Sequence, residues 1–175
     1  MKIVVIGTGY VGLPHAAVLS EYGHEVHAYD IDETRILAYS SGDADNIERY
    51  VNEPGLADIV AENLNRYLFF TTDITHVVEE TDVFFLCINT PPNRDGSTDM
   101  SYYLDAINHL GRLLAQRHKK QRVVLVNKST VPIGTGLLRR IHSRVSWMLR
   151  PVERSITVSA PQRIDQTILS TSDAT

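Results

Sequence analysis

The chain has 175 residues, of which 43% are hydrophobic and 22% charged, with a formal net charge of −4. This composition predicts one globular domain, and it provides no basic field of the kind that binds nucleic acid or anionic lipid. Because no apolar run reaches the roughly 20 residues that span a bilayer, and no signal-peptide cleavage site follows the first residues, we expect a cytoplasmic protein with neither nucleic-acid nor membrane partners.

The chain contains a single cysteine, Cys87, so no internal disulfide is possible. Histidines and the cysteine are scattered without the spacing of zinc ligands, and we expect no metal site. Cys87 lies within an apolar run, among Phe84, Phe85, Leu86 and Ile88. We interpret it as a buried structural thiol, because a reactive thiol needs exposure and a lowered pKa.

Short β-branched runs alternate with amphipathic segments along the chain. The run KIVVIG (2–7) predicts a strand buried on both faces, followed by a helix that begins just after Gly9 and stops near Gly23. Further strands are predicted at 25–30, 67–72, 82–89 and 122–130, and further helices at 33–42, 54–65, 74–80 and 101–116. This alternation predicts an α/β fold, a doubly wound parallel sheet of Rossmann type with about six strands.

The first strand-to-helix turn contains Gly7, Gly9 and Gly12 at the spacing G-x-G-x-x-G. In a dinucleotide site, Gly7 would allow the tight turn, Gly9 the approach of a pyrophosphate, and Gly12 close packing of helix on strand. The free N–H groups at the start of the helix would face the phosphates. The motif therefore predicts dinucleotide binding, and a purely structural glycine turn is the alternative.

An acid, Asp30, ends the second predicted strand. A carboxylate at this position accepts hydrogen bonds from ribose hydroxyls and repels a 2′-phosphate, which favours NAD over NADP as the cofactor. Arg35 follows five residues later. It either pairs with Asp30 or meets a ribose phosphate, and the sequence leaves both possibilities open.

Five stretches resemble a known family in their order and separation. They are GTGYVGLPHA, YDIDETRI, NEPGL, CINTPPNRDGSTDMSYY and NKSTVPIGT. Together they resemble the N-terminal NAD-binding domain of the UDP-glucose/GDP-mannose dehydrogenase family, over about residues 1–145. The resemblance implies NAD-dependent oxidation of a nucleotide-sugar alcohol to a carboxylate by a homodimer. Residues 146–175 are expected to form a diverged tail, with one further strand at most and poorly ordered chain after it.

The resemblance also implies how the cofactor is held. The three glycines and the backbone around Tyr10 and Val11 would bind the pyrophosphate, and Asp30 with Arg35 would bind the adenosine ribose.

Two threonines are implied at the other end of the cofactor. Thr90, in CINTPP, would line the nicotinamide side of the cleft, with a Pro-Pro turn that binds nothing as the alternative. Thr130, in KSTVP, would position the catalytic water or the developing oxyanion. It also fits the N-cap of a helix with Pro132 in the first turn, and both roles are compatible.

The catalytic cysteine of the family, within a glycine-rich motif, has no counterpart here. Where the family has a glutamate in a motif like S-N-P-E-F, the chain has Gln162, which cannot act as a general base. The resemblance therefore implies the cofactor half of a nucleotide-sugar dehydrogenase, as a fragment or truncated gene product that is inactive alone. A stand-alone NAD-binding or regulatory module is the alternative. A short-chain dehydrogenase is excluded, because no tyrosine is followed four positions later by lysine.

Overall fold

The computed structural model describes residues 1–118 and 123–131 and the backbone of 156–157. The strands are β1 (Lys2–Ile6), β2 (Glu25–Tyr29), β3 (Leu68–Thr71), β4 (Val83–Leu86), β5 (Val124–Asn127) and β6 (Ile156–Thr157). The helices are α1 (Gly12–Glu21), α2 (Glu33–Ser40), α3 (Ala44–Glu48), α4 (Leu56–Asn63) and α5 (Ser101–Ala115). A short 3₁₀ helix (Val78–Glu80) precedes β4.

All six strands form one parallel sheet in the order β3-β2-β1-β4-β5-β6. The predicted doubly wound α/β fold is thus confirmed. The strand order reverses between β1 and β4, since the chain builds outward first to one side of β1 and then to the other. In such sheets, ligands bind outside the carboxyl ends of the strands at this reversal.

Alternate side chains of the strands build a core on each face of the sheet. Ile3 and Val5 of β1 pack in the cluster that includes Leu13 of α1 and Val60 of α4. Val4 and Ile6 point to the other face, in the cluster that includes Leu110 of α5. Strands buried on both faces explain why β1 is an uninterrupted apolar run, because each fully buried aliphatic side chain contributes about 1.5–3 kcal/mol.

Helix α1 begins at Gly12 rather than just after Gly9, and three further differences from the predicted helices have local causes. The segment 74–80 forms a turn and then only the 3₁₀ helix, because it is too short for a stable α-helix and rich in β-branched residues. The predicted helix at 54–65 begins later, at Leu56, since Gly55 before it has a left-handed φ of 77°. Helix α3 was missed, although Asp43 supplies its N-cap by accepting a hydrogen bond from Asn46 N–H at 3.0 Å.

Two predictions concern residues outside the described ranges. The helix start with Pro132 in its first turn lies there, and so does Gln162. Within 146–175, the structure describes the one strand β6, which pairs with β5 through Val126 and Ile156.

Candidate functional site

Two glycines of the first turn are required by the fold itself. Gly7 has φ of 92°, and a Cβ there would lie 2.6 Å from the carbonyl oxygen of Cys87. A Cβ on Gly12 would lie only 1.7 Å from the carbonyl oxygen of Gly7. Any side chain at either position would push α1 or β4 away from β1, so these glycines set the close packing of the first βα unit.

Gly9 is different, because nothing in the fold requires it to be glycine. Its φ lies outside the left-handed region, and no heavy atom lies within 4 Å of the position that a Cβ would take. Helix α1 starts three residues later with no side-chain cap on its N-terminal N–H groups and no acidic residue in its first turn. Open space beside a bare backbone, at the positive end of a helix, fits a bound phosphate group.

Asp30 is held at the end of β2 by a dense set of hydrogen bonds. Its Oδ2 accepts from the N–H and the hydroxyl of Thr8, at 2.8 and 2.9 Å, and its Oδ1 accepts from Asp32 N–H at 3.1 Å. Arg35 Nη1 also donates to Oδ2 at 3.0 Å. The carboxylate therefore ties the glycine turn to the start of α2. Among these bonds Oδ1 accepts only one, which leaves it able to accept another.

Burial alone would raise the pKa of Asp30, whose exposed fraction is 8%. The hydrogen bonds from Thr8 and Asp32 and the charge of Arg35 outweigh burial and lower the pKa below its ordinary range. Asp30 is therefore ionised at neutral pH. Of the two possibilities left open for Arg35, the structure shows the pair with Asp30.

Arg35 and two tyrosines form the wall next to Asp30. The guanidinium of Arg35 also lies 3.6 Å from Asp32 Oδ2 and 5.6 Å from the ring centre of Tyr50. Tyr39 is fully buried, packs edge-on against Tyr50, and donates its hydroxyl hydrogen to the carbonyl of Thr8 at 3.0 Å. Both ends of Thr8 are thus fixed, one by Asp30 and the other by Tyr39.

The two predicted threonines meet although they are far apart in sequence. Thr90 donates its hydroxyl hydrogen to the backbone carbonyl of Thr130 at 2.7 Å. Ser129 reinforces this junction, since its hydroxyl oxygen accepts from Ile88 N–H at 2.8 Å. The loops that follow β4 and β5 are therefore joined, and the hydroxyl of Thr90 serves to fix the backbone that carries Thr130.

These elements surround a cavity of about 370 Å³ at the carboxyl ends of the strands. Its lining includes six of the predicted residues, namely Gly9, Tyr10, Val11, Arg35, Thr90 and Thr130. It also includes residues that were not predicted, namely Tyr39, Tyr50, Ile88, Asn89, Lys128 and Ser129. Asp30 is not part of this lining, but it is paired with Arg35, which is. Another hollow, of about 490 Å³, lies around Met1 and Tyr67 at the amino ends of the strands, away from where such sheets bind ligands.

Cys87 borders the cavity but is a poor nucleophile. Its exposed fraction is 8%, and burial raises the pKa of its thiol to about 11, although the nearby charge of Lys128 acts to lower it. The prediction of a buried structural thiol is therefore confirmed.

Among residues 1–118 and 123–131, no three histidine, cysteine or acidic side chains are grouped as metal ligands. Over the same part of the chain, no helix has the length and apolarity needed to cross a membrane.

Known proteins resemble this chain in both sequence and fold. UDP-glucose 6-dehydrogenase TuaD of Bacillus subtilis is 40% identical over 138 residues, which cover 78% of this chain and 28% of TuaD. The UDP-glucose 6-dehydrogenase of Pseudomonas aeruginosa is 37% identical over 137 residues, with the same two coverages of 78% and 28%. The chain thus spans less than a third of the length of these relatives.

Solved structures agree with the sequence comparison. A UDP-glucose dehydrogenase from the archaeon Pyrobaculum islandicum superposes with a TM-score of 0.73 and 32% identity, over 92% of this chain and 35% of that one. GDP-mannose dehydrogenase from Pseudomonas aeruginosa gives a TM-score of 0.71 and 28% identity, over 91% and 35%. The family model for the NAD binding domain of the UDP-glucose/GDP-mannose dehydrogenase family matches residues 1–166, past the last of the five motifs. The chain belongs to this family, of which it contains the NAD-binding domain.

Proposed function

We propose that this chain binds NAD in the cavity at the carboxyl ends of β1, β4 and β5, as the cofactor-binding part of a nucleotide-sugar dehydrogenase. The observation that carries the proposal is the open space beside Gly9, in front of the uncapped start of α1. The fold itself does not require glycine at this position. A Cβ there would, however, occupy the space through which a diphosphate would approach the backbone.

In this proposal the backbone of Gly9, Tyr10 and Val11 holds the diphosphate. Asp30 binds the adenosine ribose through the remaining capacity of Oδ1, and its charge disfavours a 2′-phosphate. Arg35 is already engaged by two carboxylates, at 3.0 and 3.6 Å. It is therefore not a free cation that would recruit the extra phosphate of NADP, which supports a preference for NAD.

The nicotinamide end would lie toward Thr90 and Thr130. NAD, when bound, supplies the hydride acceptor for alcohol oxidation. Because the hydroxyl of Thr90 donates to the carbonyl of Thr130, it orders the loop rather than contacting substrate. The hydroxyl of Thr130 is then the group that could position a water or a developing oxyanion, in a complete active site.

We further propose that the substrate of the intact enzyme is a nucleotide sugar such as UDP-glucose, and that this chain alone does not oxidise it. The relatives named as UDP-glucose 6-dehydrogenases support the substrate class. The single cysteine is buried with a raised pKa, so covalent capture of an aldehyde by a thiol is not available. A stand-alone NAD-binding module predicts the same absence of turnover. The predicted homodimer remains a prediction.

Isothermal titration of NAD and NADP into the full chain tests cofactor binding. NAD should bind more tightly, and Asp30→Asn should weaken NAD more than NADP, because the amide neither repels the 2′-phosphate nor accepts as strongly. Asp105→Asn is the control, since Asp105 is exposed on α5, away from the cavity. No NAD binding by the parent chain would refute the proposed function, while equal affinity for both cofactors would refute the role of Asp30.

Turnover is tested by following NADH formation from NAD and UDP-glucose. The expected result is no signal above the rate without UDP-glucose. Orienting a substrate against the cofactor accounts for roughly 7–11 kcal/mol of the barrier in such reactions, and in this proposal the chain supplies only the cofactor side. NADH formation that Cys87→Ser abolishes would show that the chain is a complete catalyst and that the interpretation of Cys87 is wrong.

A further inference from the structure

The charge of the cavity lining points to an anion beyond what the glycine turn alone explains. Among the lining residues the charged ones are Arg35 and Lys128, and no carboxylate lines the cavity. Arg35 is neutralised by Asp30 and Asp32. Lys128, at the end of β5, is exposed, and no carboxylate of the described residues forms an ion pair with it.

The Lys128 side chain lines the cavity together with the loop that leads into α1. Its charge is close enough to His15, in the second turn of α1, to contribute to lowering the pKa of that imidazole, for which burial is the main cause. His15 packs edge-on against Phe85 of β4, with ring centres 4.4 Å apart. The start of α1 adds the positive end of a helix dipole without any acidic residue in its first turn.

An exposed lysine that forms no ion pair, in a cavity whose lining has no carboxylate and includes the residues before the uncapped start of α1, is placed to meet an anionic ligand. Resting on the proposed NAD function, we infer that the Lys128 ammonium binds the diphosphate of the cofactor, on the side of the cavity opposite Arg35. The backbone of the glycine turn donates hydrogen bonds to the diphosphate, and Lys128 supplies the full positive charge that backbone groups lack. A flexible ammonium with three donors suits this role.

A ligand series on the full chain tests the inference by calorimetry. The parent chain, Lys128→Gln and Lys128→Arg are each titrated with ADP-ribose, adenosine and UDP. We expect Lys128→Gln to weaken ADP-ribose about tenfold, because a charge-assisted hydrogen bond is lost, and to leave adenosine within about twofold. Lys128→Arg should retain most of the affinity. A thermal melt of each variant establishes that it is folded, and a merely structural role of Lys128 would affect adenosine equally.

The matched control is Arg66→Gln, which removes one exposed positive charge at the amino ends of the strands, where Arg66 lies 4.9 Å from the ring centre of Tyr67. It should leave ADP-ribose binding unchanged. Raising the salt concentration should weaken ADP-ribose binding by the parent more than by Lys128→Gln, since screening acts on the charge that the variant lacks.

The outcomes separate this inference from the proposed function. If the parent binds ADP-ribose and Lys128→Gln binds it equally well, Lys128 is not a diphosphate ligand, and the NAD site stands without it. If Lys128→Gln loses affinity for UDP but not for ADP-ribose, the lysine serves the nucleotide sugar and the inference is overturned. If the parent binds neither NAD nor ADP-ribose, the proposed function itself fails, and the role of Lys128 fails with it.

Discussion

Alanine substitution of two glycines in one turn should separate ligand binding from folding. In Gly12→Ala the added methyl would lie 1.7 Å from the carbonyl oxygen of Gly7, where about 3.0 Å is the closest approach that real Cβ atoms make. The start of α1 must therefore move by more than about 1 Å, and overpacking of this kind costs about 1–3 kcal/mol. For a chain of this size the melting temperature should fall by about 2–12 °C.

Gly9→Ala should do the opposite. Its methyl meets no atom within 4 Å, and the φ of Gly9 is one that alanine tolerates. Replacing glycine under these conditions leaves stability unchanged or raises it by up to about 1 kcal/mol, because the unfolded chain loses entropy. The same methyl would occupy the space proposed for the diphosphate. Loss of one or two charge-assisted hydrogen bonds should weaken NAD binding by about 10- to 100-fold.

Thermal melts and calorimetric titration of both variants against the parent measure the two effects. Circular dichroism verifies that each variant is folded at the titration temperature. Gly9→Ala that binds NAD as well as the parent would show that the diphosphate does not lie against this backbone. Gly12→Ala with an unchanged melting temperature would show that α1 and β1 do not approach as closely as described.

Three further predictions concern buried groups around the cavity. Because the pKa of Asp30 is lowered in the folded chain, its ionised carboxylate stabilises the fold at pH values above the ordinary pKa of 3.8, and this contribution is lost as the pH falls through the folded pKa. Asp30→Asn should therefore lower the free energy of unfolding by about 1–3 kcal/mol at pH 7. Chemical denaturation should show this difference shrinking below about pH 4. In the same assay, Tyr39→Phe should lower the free energy of unfolding by about 1 kcal/mol, because it leaves the carbonyl of Thr8 without its buried hydrogen-bond donor. An unchanged free energy of unfolding would contradict that hydrogen bond. With a pKa of about 11, Cys87 should react with a disulfide reagent roughly 100-fold more slowly in the native chain than in guanidinium, and equal rates would contradict its burial.

Much of the fold could be predicted from local patterns. The strands β1 and β4 were found because side chains buried on both faces must be apolar, and the end of α1 because Gly23 adopts a φ of 79° that other residues avoid. The missed helix α3 has five residues, too few for a periodic apolar stripe, and its one local signal was the cap residue Asp43.

Local sequence patterns predicted only part of the candidate site, and Thr90 and Thr130 were added by the family resemblance. The glycine spacing and the acid after β2 identified Gly9 and Asp30, since both follow strand ends that the apolar runs mark. Lys128 could not be singled out from its sequence context, because an exposed lysine after a strand is ordinary until its neighbours are known. Nor could it distinguish a free Arg35 from one paired with Asp30, because both geometries are compatible with a spacing of five residues.

By itself, the sequence determined the element types and the turn where a dinucleotide would bind, because each depends on residues within one βα unit. The alternation of strands and helices along the chain predicted the parallel doubly wound sheet. Only the tertiary structure decided which loops meet. The hydrogen bond from Thr90 to the carbonyl of Thr130 joins residues 40 positions apart, and that from Tyr39 to Thr8 spans 31. Such contacts depend on the pairing register of β4 with β5 and on the packing of α2 beside β3, which the buried surfaces of the whole sheet fix together.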